Sequence, residues 1–594
     1  MCGIFALLNN ESNYTSGYIQ EQFMKGRGRG PEFSTIKKVN FGAIFGFHRL
    51  AINGLNDESN QPLVIGDISL ICNGEIYNYR ELYALMNVQP ITDSDCEVIV
   101  HLYVKYGIEQ TLQMLDGVFA FVLCDTNTDN LESKIIVARD PYGVRPLYIM
   151  HKRVEVETKN DSIDFLETKN STNLIAFASE LKVLTYFCTN EYSIDHFQPG
   201  TYSTYSLPPK IITQWNQEIK NKVYHSCGFN SIMFQNQKEE KEEKEKEKDF
   251  QMIIEGIQKH LLHAVRKRVL VTERPIACLL SGGLDSSLIT ALVNEVCKEI
   301  SDEKQLETFS IGLADSEDLK YARIVAAHLK TKHTEIVLTE SDFLQSIPEV
   351  IRAIESYDTT TVRASIGNYL LGKYISENSD AKVIFNGDGS DELCGGYLYM
   401  HAAPDAIEFD KECRRLLKDI HAFDVLRSDK CISSHGLEPR TPFLDRSWVQ
   451  YYLSINPSLR FHPGNNQCEK YLLRTAFSER YYSNCNDSEL LPSSILWRKK
   501  EAFSDGVSKM NRSLYEIIQD HVKTLPSTAF QVPTNVNKKT QSDTLEKKYY
   551  RHLFEIWYPS FGNVVPYFWM PRYVEATDAS ARTLEIYKNE SENA

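Results

Sequence analysis

The chain has 594 residues, 42% hydrophobic and 24% charged, with a formal net charge of −15. That length exceeds what one core supports and calls for two or more domains. The acidic balance argues against nucleic acid as the main partner, and no apolar run approaches the ~20 residues of a membrane span. The start has no basic segment followed by a long apolar one, so a cytoplasmic protein is expected. Thirteen cysteines, an odd number without any Cys-x-x-Cys spacing, read as reduced thiols and not as a zinc site.

The opening Met1-Cys2-Gly3-Ile4-Phe5 places a cysteine second. Removal of Met1 would make Cys2 a nucleophile that carries its own base, because an α-amine titrates at about 7.7–8.0 and a thiol at about 8.5. Taken alone, the same cysteine is as readily a small buried hydrophobe. Further on, apolar stretches at Phe41 to Phe47, Ile68 to Cys72, Val118 to Leu123 and Ile135 to Ala138 predict strands. Glu97 to Tyr106 and Glu109 to Leu115 predict helices, so the first region reads as a β-rich domain with helices.

Lys238 to Asp249 is a mixed-charge block without an apolar residue, and it cannot be core. Met252, Ile253, Ile257, Leu261, Leu262, Val265 and Val269 follow at helical spacing, so the block leads into an amphipathic helix that opens a second domain. Beyond it, apolar runs at Ile276 to Leu280, Thr308 to Ile311 and Val383 to Phe385 each precede a glycine-containing loop. That alternation predicts a parallel α/β sheet. The boundaries expected are a first domain over 2–215, a charged linker over 235–250, a second domain over 251–560 and a C-terminal extension over 561–594. Lys152 to Asn173 and Pro533 to Asp543 read as surface insertions, and Lys588 to Ala594 as a loose end.

The first of these strands runs into Ser281-Gly282-Gly283-Leu284-Asp285-Ser286-Ser287 and then a periodic helix. Strand, glycine turn and helix N-terminus make an anion site, with free backbone N–H groups and serine hydroxyls as donors. No lysine follows the glycines, so this is not a Gly-x-x-x-x-Gly-Lys loop. Ser-Gly-Gly-x-Asp-Ser is the PP-loop pattern of ATP pyrophosphatases, which cleave between the α and β phosphates. A carboxylate in a phosphate loop needs a cation between it and its ligand, so Asp285 implies magnesium. A second loop, Asn386-Gly387-Asp388-Gly389-Ser390-Asp391-Glu392, supplies a partner carboxylate in Asp391. The alternative is that Asp388, Asp391 and Glu392 only cap turns and a helix.

With these residues in place, the chain resembles the glutamine-hydrolysing asparagine synthetases over roughly Cys2 to Asp505. Cys2-Gly3-Ile4, His48-Arg49-Leu50-Ala51-Ile52, Asn73-Gly74-Glu75-Ile76-Tyr77-Asn78 and Ser94-Asp95-Cys96-Glu97 follow the class II glutamine amidotransferase pattern in order. The resemblance implies an αββα glutaminase sandwich of the N-terminal-nucleophile type, followed by a parallel-sheet PP-loop synthetase domain. It implies Cys2 as nucleophile and Asn73 and Gly74 as oxyanion donors. Arg49, Leu50, Ala51, Ile52, Asn53, Glu75 and Asp95 would surround glutamine. ATP would lie against Leu279, Ser281, Gly282, Gly283, Asp285, Ser286, Ser287, Ile311, Asn386 and Gly387, with magnesium on Asp285 and Asp391. From the stretches Tyr357 to Ser365 and Trp497 to Gly506, Thr360, Arg363 and Lys500 are expected at phosphate or aspartate, their alternative being an internal salt-bridge network. Arg440 to Asp445 is a further family-like stretch.

Two positions depart from the family pattern. Asp388 stands where glutamate is frequent, one methylene shorter against incoming ammonia or the aspartate amine. Asp93 stands where glycine is common beside Asp95. The reaction implied is glutamine hydrolysis, activation of aspartate as β-aspartyl-AMP, and amination to asparagine. A β-lactam synthetase would keep the adenylation, but the intact Cys2 and Arg49 speak against it; a non-catalytic relative is disfavoured by Cys2, Asp285 and Asp391. A homodimer stays open.

Overall fold

The computed structural model describes residues 2–580 apart from 12, 40–41, 127–132, 154–172, 208–213, 229–242, 302–304, 483–488, 499, 501–505, 509–511, 534–537 and 577. The side chains of 243–246 are likewise not described. Most of the expected insertion at Lys152 to Asn173, part of that at Pro533 to Asp543, and the loose end from Lys588 lie outside these residues. The chain divides into two compact units, 1–225 and 226–594. No described helix is long and apolar enough to cross a membrane.

The first unit holds β1 (Gly3–Leu8), β2 (Phe33–Lys38), β3 (Ile44–Arg49), β4 (Leu63–Ile65), β5 (Ile68–Ile76) and β6 (Gly117–Asp125). It continues with β7 (Ser133–Arg139), β8 (Tyr148–Lys152), β9 (Ile175–Ala178), β10 (Tyr192–His196), β11 (Thr201–Leu207) and β12 (Asn216–Val223). They form two six-stranded sheets, ordered β10-β8-β9-β1-β3-β2 and β12-β11-β7-β6-β5-β4. Strand periodicity sorts the side chains. Ile4, Ala6 and Leu8 of β1, Phe45 and Phe47 of β3, Ile71 of β5, and Ala120, Val122 and Cys124 of β6 fill the space between the sheets. The alternate residues Leu70, Cys72, Ile76, Phe119, Phe121 and Leu123 face outward onto Leu82, Met86, Ile99, Leu102 and Leu112 of covering helices. On the outer side of the other sheet, Phe5 meets Phe23 and Phe187 at ring centroids of 6.1 and 5.8 Å. The result is the αββα sandwich expected. The two helical pieces expected at Glu97 to Tyr106 and Glu109 to Leu115 form one helix, Val98–Met114, broken at Gly107, whose φ of 75° leaves the helical region.

In the second unit the helix Glu243–Leu270 takes up the end of the charged block. Ile253, Ile257, Leu261, Val265 and Val269 are buried as their spacing predicts, whereas Met252 is exposed. Next come β13 (Ile276–Leu279), β14 (Glu307–Leu313), β15 (Lys332–Leu338), β16 (Val383–Phe385) and β17 (Glu438–Arg440), ordered β15-β14-β13-β16-β17. All neighbours are parallel. Ala277, Leu279, Phe309, Ile311 and Ile384 of the sheet pack on Leu371 and Ile375 of the helix Thr359–Asn378. The chain leaves β13 toward β14 on one side and later returns to β16 on the other. Open parallel sheets bind ligands at such a reversal, outside the strand C-termini.

Candidate active sites

In the first unit, β1 and β3 run antiparallel with Gly3 opposite His48. Cys2 and Arg49, one residue further along each strand, therefore end at the same edge. Asn73 and Glu75 share the inner face of β5 with Ile71. The backbone nitrogen of Cys2 donates to Asn73 Oδ1 at 3.1 Å, which turns the Asn73 Nδ2 donors the other way, 3.5 Å from Ser179 Oγ. The Cys2 thiol lies 3.7 Å from the Leu50 carbonyl, and the Arg29 Nε–H holds the Cys2 carbonyl at 3.0 Å. Burial pushes the Cys2 thiol pKa up, against the lowering pull of the Leu50 contact and Arg49.

Arg49 is buried, and its terminal N–H groups are taken by a single loop. They donate to Asn56 O and Asn60 Oδ1 at 2.8 Å each, to Asn53 O at 3.5 Å and to Gly54 O. Asn53 in turn donates to Glu75 Oε2 at 2.6 Å, and Asp95 Oδ2 accepts the Ile76 N–H at 2.6 Å. The departure Asp93 accepts from Asn56 Nδ2 at 2.6 Å, which ties its loop to the one Arg49 holds. Leu50, Ala51 and Ile52 are buried beside these groups, and the Ala51 N–H donates to Glu32 Oε2 at 2.8 Å. Cys2, Arg49, Asn53, Asn73, Gly74, Glu75 and Asp95 thus form one neighbourhood, to which Glu32 and Arg29 are additions that sequence reading missed.

In the second unit a cavity opens at the C-terminal ends of β13, β14 and β16. Leu279, Ser281, Gly283, Asp285, Ser286, Ile311, Asn386, Gly387, Asp388, Asp391 and Lys500 line it. Ser281 and Ser286 hydroxyls lie 2.9 Å apart and brace the turn. Gly387 passes the other loop so closely that a Cβ there would stand 2.8 Å from the Asp285 backbone carbon and the Ser286 nitrogen. Gly282 and the buried Ser287 belong to the same turn but lie behind its lining.

The two expected metal ligands converge, and lysines hold them. Lys470 Nζ lies 2.6 Å from Asp285 Oδ2 and 2.5 Å from Asp391 Oδ1, and Lys500 Nζ lies 2.6 Å from Asp391 Oδ2. Burial alone would raise the Asp391 pKa, but Lys470 and Lys500 outweigh it and hold the carboxyl well below its usual range. Asp285 and Asp391 provide the oxygen donors magnesium takes, one or two carboxylates beside substrate phosphates. Among the described residues there is no group of three or more His, Cys, Asp or Glu that could hold a metal without a ligand's help. Lys470 has φ 58°, a conformation unusual outside glycine and one that collects at functional sites.

A second polar group occupies the far wall. Arg427 donates to Asp424 Oδ1 at 2.8 Å and to Asp388 Oδ1 at 3.2 Å, while Asp388 Oδ2 is buried without a partner. The Tyr397 hydroxyl donates to Glu392 Oε1 at 2.5 Å and lies 3.3 Å from Asp424 Oδ2. Burial, reinforced by Asp424 and Asp391, pushes the Glu392 pKa well above the carboxylate range. Sequence reading missed Lys470, Tyr397, Asp424 and Arg427; no local motif marks Lys470, and Asp424 and Arg427 look like an ordinary surface i,i+3 pair.

Thr360 and Arg363 are not brought to this cavity. Arg363 is buried with Glu546 at 2.5 Å and Asp578 at 2.7 Å, the internal salt-bridge network that stood as its alternative. Thr360 Oγ1 is buried without a partner.

An αββα sandwich with a cysteine against an asparagine at its strand ends, followed by a parallel sheet with a PP-loop, defines a glutamine-dependent ligase of the ATP pyrophosphatase class. Known proteins agree with both halves. The "Glutamine amidotransferase domain" family model matches residues 1–228, and the "Asparagine synthase" model matches 256–408 and 403–558. The chain is 40% identical over 605 residues to the glutamine-hydrolyzing asparagine synthetase of Gallus gallus and 38% identical over 607 residues to that of Homo sapiens, covering 99% of each chain in both cases. It belongs to the family of glutamine-hydrolysing asparagine synthetases. Among solved structures, an NMN synthetase from Francisella tularensis aligns over 54% of this chain and 98% of its own at 13% identity and a TM-score of 0.21, too distant to carry an argument.

Proposed function

We propose that this chain is an ATP-dependent asparagine synthetase: it hydrolyses glutamine, activates aspartate with ATP and joins the released ammonia to the activated carboxylate. The observation that carries this reading is that the Cys2 nitrogen is hydrogen-bonded directly to Asn73 Oδ1 in one unit, and that Asp285 and Asp391 converge on Lys470 in the other. The first catalytic half is assigned to 2–215 and the second to 251–560, and the enzyme is placed in the cytoplasm.

Once Met1 is removed, the Cys2 nitrogen is an α-amine fixed by Asn73 Oδ1. The amine takes the thiol proton, and the thiolate attacks the side-chain amide carbon of glutamine. The tetrahedral oxyanion is received by Asn73 Nδ2 and the Gly74 N–H, donors of a kind each worth about 10² to 10³ in rate. The proton passes to the leaving nitrogen, ammonia departs, and water cleaves the thioester to glutamate. Arg49 exchanges its loop carbonyls for the α-carboxylate of glutamine, a planar fork that lysine does not offer. Glu75 and Asp95 take the α-ammonium.

In the second half the PP-loop holds the β and γ phosphates, and Leu279 and Ile311 flank the nucleoside. Magnesium, held by Asp285 and Asp391, would neutralise phosphate charge. Lys500 alone of the three residues expected at phosphate lines the cavity, and it takes that role together with Lys470. Aspartate sits on the far wall, its α-carboxylate toward Arg427 and its ammonium toward Asp424. Its β-carboxylate attacks the α-phosphorus, pyrophosphate leaves, and ammonia displaces AMP. Asp388, whose buried Oδ2 has no partner, accepts the proton ammonia loses. Cys2→Ala tests the division of labour: asparagine formation from glutamine should stop while that from ammonium persists. Equal loss of both would remove Cys2 from the role.

A further inference from the structure

The match to the asparagine synthase family model ends at residue 558, yet Tyr567, Trp569 and Arg572 beyond it are built into the second unit. Trp569 is almost wholly buried. Its backbone N–H donates at 2.8 Å to Asp358 Oδ1, while Asp358 Oδ2 caps the helix Thr359–Asn378 through the Thr361 N–H at 2.9 Å. On one side of Trp569, the Tyr567 hydroxyl donates to Asp419 at 2.5 Å; on the other, Arg572 pairs with Glu412 at 3.2 Å. Glu412 also accepts the Tyr399 hydroxyl at 2.7 Å.

Between these clamps the Trp569 indole closes an aromatic cluster. Its ring centre lies 5.2 Å from Tyr397 and 5.9 Å from Tyr399, and the two tyrosines stack on each other at 5.8 Å. Tyr397 lines the cavity and Trp569 does not. The hydroxyl of Tyr397 spans Glu392 and Asp424, so the placement of its ring sets where that hydroxyl meets the two carboxyl groups. Offset and tilted ring pairs at this separation have a preferred geometry and hold one another in place.

We propose that Trp569 is a positioning residue for the aspartate side of the synthetase cavity, acting through Tyr397, and that the stretch around it, residues 567–572, is therefore part of the catalytic unit. This rests on the reading of the far wall as the aspartate site. Removing the indole leaves the Tyr397 ring without its outer neighbour, and the Glu392–Asp424 pair loses its fixed hydroxyl. The effect falls on aspartate and not on the nucleotide, whose contacts lie across the cavity.

The test compares Trp569→Ala, Trp569→Phe and Tyr397→Phe in the full chain, with ammonium as nitrogen donor, reading pyrophosphate release against aspartate and ATP separately. Trp569→Ala should raise the aspartate KM about three- to tenfold, the scale of one lost aromatic contact. The ATP KM and the glutaminase rate should stay at wild-type values. Trp569→Phe should recover most of the loss. Combined with Tyr397→Phe, Trp569→Ala should add little further, because both act on one hydroxyl. An unchanged aspartate KM, an equal rise in both KM values, or full additivity would overturn the proposal. Wild-type pyrophosphate release that did not require aspartate would instead overturn the reading beneath it.

Discussion

Arg49→Lys isolates the glutamine site without removing charge. The guanidinium makes four contacts to one loop, to Asn53 O, Gly54 O, Asn56 O and Asn60 Oδ1. These are given up when glutamine binds, and the fork then makes two parallel bonds to the α-carboxylate, of which an ammonium presenting its donors from one point keeps about one. The one lost is a charge-assisted bond of about 1.5–3 kcal/mol. At 1.4 kcal/mol per decade this is about ten- to a hundredfold. The same planar fork is what the α-carboxylate of glutamine needs, so the loss should appear in the KM for glutamine. The assay is glutamate release against glutamine concentration, with ammonium-dependent asparagine synthesis as the internal control. Glutamine KM should rise about ten- to a hundredfold while the control holds. A KM within about threefold of wild type, below what one such bond is worth, would refute the assignment, as would a parallel fall in the control.

Asp285→Asn should reduce aspartate-dependent pyrophosphate release by at least about a hundredfold, because it removes one of the two carboxylates offered to a cation whose charge stabilisation is worth several kcal/mol; glutaminase should remain, and loss of both would point to misfolding. Gly387→Ala should be comparably damaging to pyrophosphate release alone, because its Cβ would meet loop backbone at 2.8 Å; near-normal release would show that the two loops separate freely. The pH dependence of stability should show His48. Burial outweighs its bond to the Phe23 carbonyl and lowers its pKa to about 4. The unfolded chain, titrating at about 6.5, binds that proton more readily, so the stability is whole above pH 6.5 and is lost as pH falls toward 4, by up to about 3 kcal/mol. Denaturant midpoints of wild type and His48→Gln should converge over that interval, and parallel profiles would remove His48 as the cause.

The sequence made the sites legible where chemistry demands contiguous residues. A phosphate turn needs glycines and hydroxyls in one run, so Ser281 to Ser287 announce themselves, and the acidic loop after β16 does the same. The core strands β5, β6 and β7 were visible because they are nearly continuous apolar runs. β1 was read only as a site motif, and β2, β10 and β12, which carry many polar residues, gave no strand signal. Lys470 was invisible for another reason: it reaches Asp285 across 185 residues of sequence, and nothing around it departs from ordinary composition. Arg363 shows the opposite error. Its neighbours promised a phosphate contact, but Glu546 and Asp578, distant in the chain, surround its guanidinium.

The pairing of Lys470 and Lys500 with Asp285 and Asp391 gives two positive and two negative groups, and they sum to zero. That cluster is thus neutral by itself, although Asp318, Asp424, Glu469, Arg474 and Arg498 add charge to the same cavity lining. On the proposed reading, nucleotide entering with its cation would exchange these partners: Lys470 and Lys500 would turn to phosphate, and Asp285 and Asp391 would be freed to hold the cation.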